Sequence, residues 1–371
     1  MRVMQLIQSL ARGGAERLTL DLALGLGEAG HEVLVVTLQD ENAHDELEYV
    51  SVEKRSLHAG ESFRWPWYLP RAASRLSALL RAWKPHLVFT HTQNISVVAA
   101  LAIPGLRVIQ VFHTYWEAMA GTPAEQWRRR MLAQWTFGRL GRRGVVVARP
   151  LVENSVRHLG CSPDRIRCVP NGIRLDRFPF AHRSAPVAIP RIGTVGSLTE
   201  FKRPDLAIRA FALLKETMPG ARLSIVGEGP LRGELERLRG ELDLMEDVEL
   251  PGVCSDVPAR LASWDLYWQL SRLEGGSPPL AVAEAMATGV PVVVSDVPGL
   301  REGVIDGKTG LRVPPCDIRG VADRSAELLA SPARYGEIAA EARRYVERHH
   351  DFRWTVAGYV EVAEDVLSGR W

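Results

Sequence analysis

Cysteine is scarce and scattered. Cys161, Cys168, Cys254 and Cys316 form no CxxC pair, and no histidine stands at metal-ligand spacing from any of them. That pattern excludes a zinc ribbon or a disulfide framework and reads as free buried thiols in a reducing compartment. Long apolar runs are missing too. None approaches the ~20 residues that a membrane span needs. The opening MRVMQLIQSLARGG lacks the apolar core of a secretory signal and reads as a first strand. The chain is therefore expected in the cytoplasm. Charge of one sign is also lacking. The net charge of +2 is too small to argue for a nucleic-acid partner. No GxGxxG follows the first strand, so a nicotinamide enzyme is not supported. No Asp-x-Asp pair occurs and no nucleophile triad stands out, so neither a divalent metal nor an organic cofactor is expected.

What is present suits two globular α/β domains. The chain has 371 residues, 46% hydrophobic and 24% charged. Arg2 to Gln8 predicts a strand, Ser9 to Gly14 a turn, and Ala15 to Ala29 a helix with Leu18, Leu22 and Leu26 on one face. Glu32 to Leu38 is the next strand, so a parallel sheet with right-handed crossovers follows. Gly13-Gly14 then lies at the carboxyl edge of that sheet, where open α/β sheets bind ligands. Strands at Pro85 to Thr90 and Arg107 to Phe112 end at His91 and His113, either of which can point into a cleft. Further strands are expected at Gly144 to Ala148 and Ile166 to Pro170. Phe180 to Pro190 reads as a linker. The pattern then restarts with strands at Arg191 to Gly196, Arg222 to Val226 and Val248 to Leu250, separated by helices at Pro204 to Met218 and Leu231 to Leu242. At the end, Phe352, Val356, Tyr359, Ala363 and Leu367 mark one face of a last helix.

Two stretches are basic and aromatic. Residues 63–84 read as an aromatic turn followed by an amphipathic helix. Residues 125–143 interleave Arg128, Arg129, Arg130, Arg139, Arg142 and Arg143 with Trp127, Trp135 and Phe137. Such a helix either lies on an anionic membrane surface or is a solvated surface helix whose tryptophans pack inward.

The most informative stretch is Leu270 to Arg312. Glu274 precedes a loop, Gly275-Gly276-Ser277-Pro278-Pro279. A helical run from Leu280 to Ala287 carries Glu284, Thr288-Gly289 stops it, and Pro291 to Val294 is an apolar strand. A loop feeding a helix N-terminus suits a phosphate, because the first N–H groups are unpaired and the helix dipole is positive there. Carboxylates beside a phosphate cradle suit hydroxyls. Together they point to a phosphate linked to a polyol, as in a nucleotide sugar.

This stretch resembles the signature of the retaining glycosyltransferases of family 4. The matching residues are Ser271, Glu274-Gly275, Glu284-Ala285-Met286-Ala287, Gly289, Pro291-Val292-Val293, Glu302 and Gly307-Lys308-Thr309-Gly310. Nine residues separate Glu274 from Glu284, where the family has seven. Either the loop carries an insertion, which keeps the Glu-Gly dipeptide, or Gly276 holds the first Glu position. GGAERLTLDLALGLGEAGHEVLVV, RIRCVPNGIRLDRF and RIGTVGSLTEFKRPDLAIRAFALL resemble further family segments. Arg174 replaces the usual Asp, Arg149 the usual Ser, and Ser197 an Arg; Lys202 is retained.

The resemblance implies the GT-B fold: two Rossmann-like domains facing across a cleft, with an acceptor-side domain at 1–180, a donor-binding domain at 188–352 and a helix at 353–371 crossing back to the first. It implies transfer of a sugar from a nucleotide diphosphate sugar to a glycan, a lipid-linked or another hydroxyl acceptor. Gly13 and Gly14 would face the donor diphosphate and His113 the donor sugar. Lys202, with Arg203 beside it, would neutralise the leaving group at the position where Ser197 removes one cation. N–H groups near Pro279 and Leu280 would hold phosphate. Glu274 would hold a sugar hydroxyl, Glu284 the ribose hydroxyls, and the backbone at Val253 the base. If the acceptor is lipid-linked, 63–84 and 125–143 are the candidate membrane contact. A non-catalytic nucleotide-sugar-binding subunit and a nucleotide-sugar epimerase are the alternatives.

Overall fold

The computed structural model describes residues 1–11, 13–43, 49, 51–58, 67–102, 107–116, 122–181, 189–276 and 278–371. Most of the expected linker, the aromatic turn at 63–66 and Ser277 lie outside the described residues. The chain divides into two compact units, Met1–Asn171 with Arg353–Trp371, and Gly172–Phe352.

In the first unit the elements run β1 (Arg2–Ile7), α1 (Gly14–Glu28), β2 (Glu32–Thr37), β3 (Glu53–Ser56), α2 (Leu69–Trp83), β4 (Leu87–Thr90), α3 (Gln93–Ala102), β5 (Val108–Phe112), α4 (Pro123–Arg139), β6 (Gly144–Val146), α5 (Pro150–Leu159) and β7 (Ile166–Cys168). The strands form one parallel sheet in the order β3-β2-β1-β4-β5-β6-β7. Helices cover both faces, which is why the central strands are apolar at nearly every position rather than alternating. Met4, Leu6, Leu34, Val36 and Val88 pack against α2 and α3 on one face. Ile7 and Val35 pack with Leu20 and Ala23 of α1 on the other.

The second unit repeats the plan. It holds β8 (Arg191–Val195), α6 (Pro204–Thr217), β9 (Arg222–Val226), α7 (Arg232–Glu241), β10 (Val248–Gly252), α8 (Val257–Ala262), β11 (Leu266–Gln269), α9 (Leu280–Thr288), β12 (Val292–Ser295), β13 (Leu311–Val313), α10 (Ile318–Leu329) and α11 (Pro332–His349). The sheet is again parallel, in the order β10-β9-β8-β11-β12-β13. Each unit is Rossmann-like. In each, the order reverses once, between β1 and β4 and between β8 and β11. Ligands of open α/β sheets bind at the carboxyl ends of the strands flanking such a reversal. The segments there are Gly13-Gly14 and His91 in the first unit, and Ser197 to Lys202 and Ser271 to Glu274 in the second.

The last helix, α12 (Phe352–Ser368), packs in the first unit. Tyr359 meets Phe89 edge-on with ring centroids 5.2 Å apart, and Arg167 Nη1 donates to Asp365 Oδ2 at 2.5 Å. Its buried face is rotated from the expected one. Phe352, Tyr359 and Ala363 of the expected face are buried, together with Thr355, Val362 and Val366, whereas Val356 and Leu367 are half-exposed. Both sets step by three or four residues, and the expected positions 356 and 367 fall one place to the side of the face that meets the sheet. The four cysteines are free but none is buried. Cys161, Cys254 and Cys316 lie just beyond element ends, and Cys168 lies on an edge strand. Of the two readings of α4, the one in which its tryptophans pack inward does not hold. Trp127 and Trp135 are 64% and 45% exposed, and Phe137 alone of the three aromatics is buried.

Candidate functional site

The loops after β8, β9 and β10 pass close together in the second unit. At Gly227, φ is +142°, and a Cβ there would stand 1.9 Å from the Gly196 carbonyl oxygen. Only glycine allows that approach. The Gly227 N–H donates to the Gly252 carbonyl at 2.8 Å and the Leu198 N–H to the Glu228 carbonyl at 2.9 Å. Lys202 follows a turn closed by its own N–H on the Thr199 carbonyl. The Arg272 N–H donates to the Phe201 carbonyl at 2.8 Å, tying that turn to the segment after β11.

This tie brings Lys202 to Glu274. Lys202 Nζ lies 2.7 Å from Glu274 Oε1 and 2.8 Å from Oε2. Glu274 is 6% exposed, and its Oε1 also accepts from Ser271 Oγ at 2.6 Å and Gln269 Nε2 at 2.9 Å. The Tyr267 hydroxyl donates to Gln269 Oε1 at 2.7 Å and accepts from the Val195 N–H at 3.4 Å. The carboxylate is thus oriented by two side chains, one of them oriented in turn by a third. Burial, followed by the negative charges of Glu274 and Glu284, holds the Tyr267 phenol well above its ordinary range. The two glutamates of the motif therefore share one neighbourhood. Of the two candidates for the first Glu position, Glu274 carries the carboxylate at Lys202, while Gly276 turns the loop.

The loop after β11 is held from behind. The Glu274 N–H donates to the Pro298 carbonyl at 3.2 Å. Gly299 has φ +87°, and a Cβ there would stand 2.1 Å from the Glu274 carbonyl oxygen. Glu302 accepts from the Gly299 N–H at 2.7 Å, a structural cap on this support. Pro279 is the N-cap of α9, and its side chain makes no capping hydrogen bond. Proline has no N–H, so the donors expected near Pro279 begin at Leu280. Glu284 stands one turn into the helix, half-buried.

Other residues behave differently. Arg203 sits in the left-handed region with φ +50° and turns its guanidinium to Asp205, with Nη2 at 2.8 Å and Nε at 2.9 Å. The second cation expected beside Lys202 is therefore already paired. Ser197 is exposed, and it lines a small crevice with Lys202, Arg203 and Gln269. Val253, just past β10, is 48% exposed. Arg174, in place of the family's Asp, pairs with Asp176 at 3.4 Å.

In the first unit, Gly13 caps α1 in an extended conformation, and the Glu16 carboxylate folds against it. Burial raises the Glu16 carboxyl above its usual range. His91 and His113 are partners, not alternatives. His91 Nδ1 lies 3.1 Å from His113 Nε2, and His91 Nε2 lies 3.0 Å from Gln5 Oε1. With the Gln5 amide oxygen, an acceptor only, turned to it, His91 carries its proton on Nε2. Its Nδ1 then accepts from His113 Nε2–H, which leaves His113 Nδ1 as a bare acceptor. Burial pushes His113 down to about 4 and His91 well below its ordinary value. Both rings border a cavity of about 380 Å³ that Gly14, Glu16, Gln110 and Trp116 also line. Buried Gln110 Oε1, Thr92 Oγ1 and Trp116 Nε1 on its walls have no hydrogen-bond partner among the described residues. Among the described residues, no three His, Cys, Asp or Glu side chains are grouped to share a metal ion.

Sequence reasoning passed over Gln5, Tyr267, Gln269 and Gln110. The available signal was a polar residue in the apolar run of a central strand, which a doubly covered sheet buries.

Comparison with known families decides the class. Residues 12–177 match the family described as Glycosyltransferase Family 4, and residues 184–346 match Glycosyl transferases group 1. The chain belongs to the family 4, group 1 glycosyltransferases. It is 27% identical to a glycogen synthase of Mycobacterium tuberculosis, over 93% of this chain and 89% of that protein. It is 30% identical to a GDP-mannose-dependent alpha-(1-6)-phosphatidylinositol monomannoside mannosyltransferase of Mycolicibacterium smegmatis, over 58% of this chain and 57% of that protein. Among solved structures, Anabaena HepE in complex with UDP and glucose superposes with a TM-score of 0.83 at 19% identity, covering 98% of this chain and all of that one. The likeness identifies this glycosyltransferase as having the GT-B fold.

Proposed function

We propose that this glycosyltransferase moves a hexosyl group from a nucleotide diphosphate sugar to an acceptor hydroxyl, with retention at the anomeric carbon. The observation that carries the reading is the Lys202–Glu274 pair at the strand-order reversal of the second unit. It joins a cation suited to a diphosphate to a carboxylate suited to a sugar hydroxyl. The crystallised complex of HepE with UDP and glucose, and the GDP-mannose dependence in the mannosyltransferase's name, support a donor of this class.

In the proposed reaction the bond from the anomeric carbon to the β-phosphate oxygen breaks, and negative charge grows on that oxygen. Lys202 and the N–H groups of the first turn of α9 stabilise it, and fixed groups of this kind supply much of an enzyme's rate enhancement. The acceptor oxygen bonds to the same face of the carbon, and its proton passes to the departing phosphate oxygen. No protein base is then required. Glu274 holds a donor-sugar hydroxyl, Glu284 the ribose hydroxyls, and the backbone at Val253 the base. Gly13, Gly14 and His113 contribute to donor binding through the resemblance alone. The acceptor is a glycan or lipid-linked hydroxyl met in the cytoplasm. No helix among the described residues is long and apolar enough to cross a membrane.

The test is incubation with UDP- and GDP-sugars and candidate acceptors. Nucleotide diphosphate is released, the product keeps the donor's anomeric configuration, and Lys202→Ala slows release about 10²- to 10³-fold. Release that this substitution leaves untouched rejects the mechanism. A second reading, a subunit that binds donor without turnover, draws on Ser197 and on the prior pairing of Arg203 with Asp205. Donor binding with turnover only in the presence of a partner protein would favour it.

A further inference from the structure

The outer face of α4 serves none of this chemistry. Trp127, Met131 and Trp135 recur every fourth residue and are 64%, 47% and 45% exposed. At 1.5 Å per residue they make an apolar stripe about 12 Å long on one side of the helix. The opposite side, with Ala133, Thr136 and Phe137, is buried. The stripe is thus surplus to the packing of α4.

Its flanks are cationic. At 100° per residue, Arg128 and Arg139 fall to one side of the stripe and Arg130 to the other. All three are exposed, and among the described residues none makes an ion pair within 4 Å. Residues 122–143 hold six arginines and one acidic residue, Glu125, in a chain whose net charge is only +2. Arg143 follows the helix, and burial together with nearby Arg165 and Arg107 pushes it below the ordinary arginine value. Like charges have therefore gathered at this end of the helix.

An apolar stripe with arginines on both flanks fits a surface that is apolar inside and anionic at its rim. We propose that α4 docks the protein on an anionic lipid bilayer, with Trp127, Met131 and Trp135 at the acyl boundary and the flanking arginines on lipid phosphates. Apolar area and electrostatic attraction add in such binding. Of the second basic stretch, Trp67 is 83% exposed, but it stands alone before α2. α2 turns Leu69, Leu76, Leu80 and Trp83 inward and has no exposed apolar row. Docking goes beyond the transfer reaction, since it holds whichever sugar is moved.

The experiment is co-sedimentation of the full chain with vesicles of phosphatidylcholine alone, or of phosphatidylcholine and phosphatidylglycerol in equal parts. The protein sediments with the mixed vesicles, stays in solution with the neutral ones, and is released by salt. Trp127→Ala with Trp135→Ala, and separately Arg128→Glu with Arg139→Glu, each weaken partitioning about tenfold or more. Nucleotide release with a water-soluble acceptor is unchanged, which separates failure of docking from failure of the proposed chemistry. Unchanged melting temperatures show that the variants fold. Failure to sediment, equal binding to both vesicles, or binding insensitive to the substitutions overturns the proposal. So does self-association without lipid that the same substitutions abolish, because the stripe would then be covered by a second copy.

Discussion

Glu274 turns both carboxylate oxygens to the ammonium of Lys202, at 2.7 and 2.8 Å. Lys202 is 30% exposed and Glu274 only 6%. The pair therefore has a solvent-facing cation on a buried anion. Lys202→Ala leaves the buried carboxylate without its counter-charge. Stability should fall by about 1–3 kcal/mol, less than for a fully buried pair because the lysine reaches water. Turnover should fall about 10²- to 10³-fold if the ammonium meets the leaving phosphate. Adding Glu274→Gln removes the stranded charge. Melting temperature should then recover while turnover does not. Recovery of both would make Lys202 a structural counter-ion and nothing more.

The imidazoles of the first unit set a pH dependence. In the unfolded chain His113 takes up a proton near its ordinary value of 6.5, but in the folded chain only at about 4. Between these values protonation favours unfolding. Stability is fully present above about pH 6.5 and falls as pH drops towards 4, by at most about 3 kcal/mol for this group. His91 extends the loss to lower pH. His113→Gln can still donate to His91 and cannot titrate. Urea midpoints measured at pH 7 and pH 5 should therefore differ less in the variant than in the parent chain. An equal drop in both would locate the acid sensitivity elsewhere.

Much of this was legible from pattern. The βαβ repeats gave both sheets, because helix-covered parallel strands are continuous apolar runs bounded by glycine and proline. Ser271, Glu274 and Glu284 were legible because their loop and helix form one local segment. What binds them was not. Lys202 meets Glu274 across 72 positions of chain, through a backbone bond from Arg272 to Phe201 that no local pattern encodes. Tyr267 and Gln269 sit within the short strand β11, whose LYWQ reads as apolar until the fold buries its polar ends together. The pairing of Arg203 with Asp205 was equally hidden. It depends on a left-handed backbone at Arg203, a residue type that gives no warning of it.

Ser197 offers a direct measure of the missing cation. It is exposed at the carboxyl end of β8, lines the same crevice as Lys202, and stands where the resembling enzymes carry arginine. Ser197→Arg should tighten binding of UDP or GDP about three- to tenfold, the increment falling as salt rises. Isothermal titration at two ionic strengths checks it. An unchanged Kd would mean that the diphosphate does not reach this edge of the sheet.

Gly299 is the residue on which the placement of Glu274 rests from behind. Its φ of +87° disfavours any side chain, and an added Cβ would stand 2.1 Å from the Glu274 carbonyl oxygen and 2.8 Å from that of Gly276. Backbone on both sides cannot yield as a flexible side chain would. Gly299→Ala must push the 274–276 loop off its support, opening the Glu274 N–H to Pro298 bond. Strain and the lost bond should cost about 1–3 kcal/mol. Because the carboxylate shifts relative to Lys202, donor turnover should drop by about 10²-fold even below the melting transition. Gly307→Ala is the comparison: φ there is +70° with nothing within 4 Å of an added Cβ, so only the backbone term applies. Stability should fall in both, and turnover only in the first. Equal turnover in the two would separate the loop's position from the chemistry.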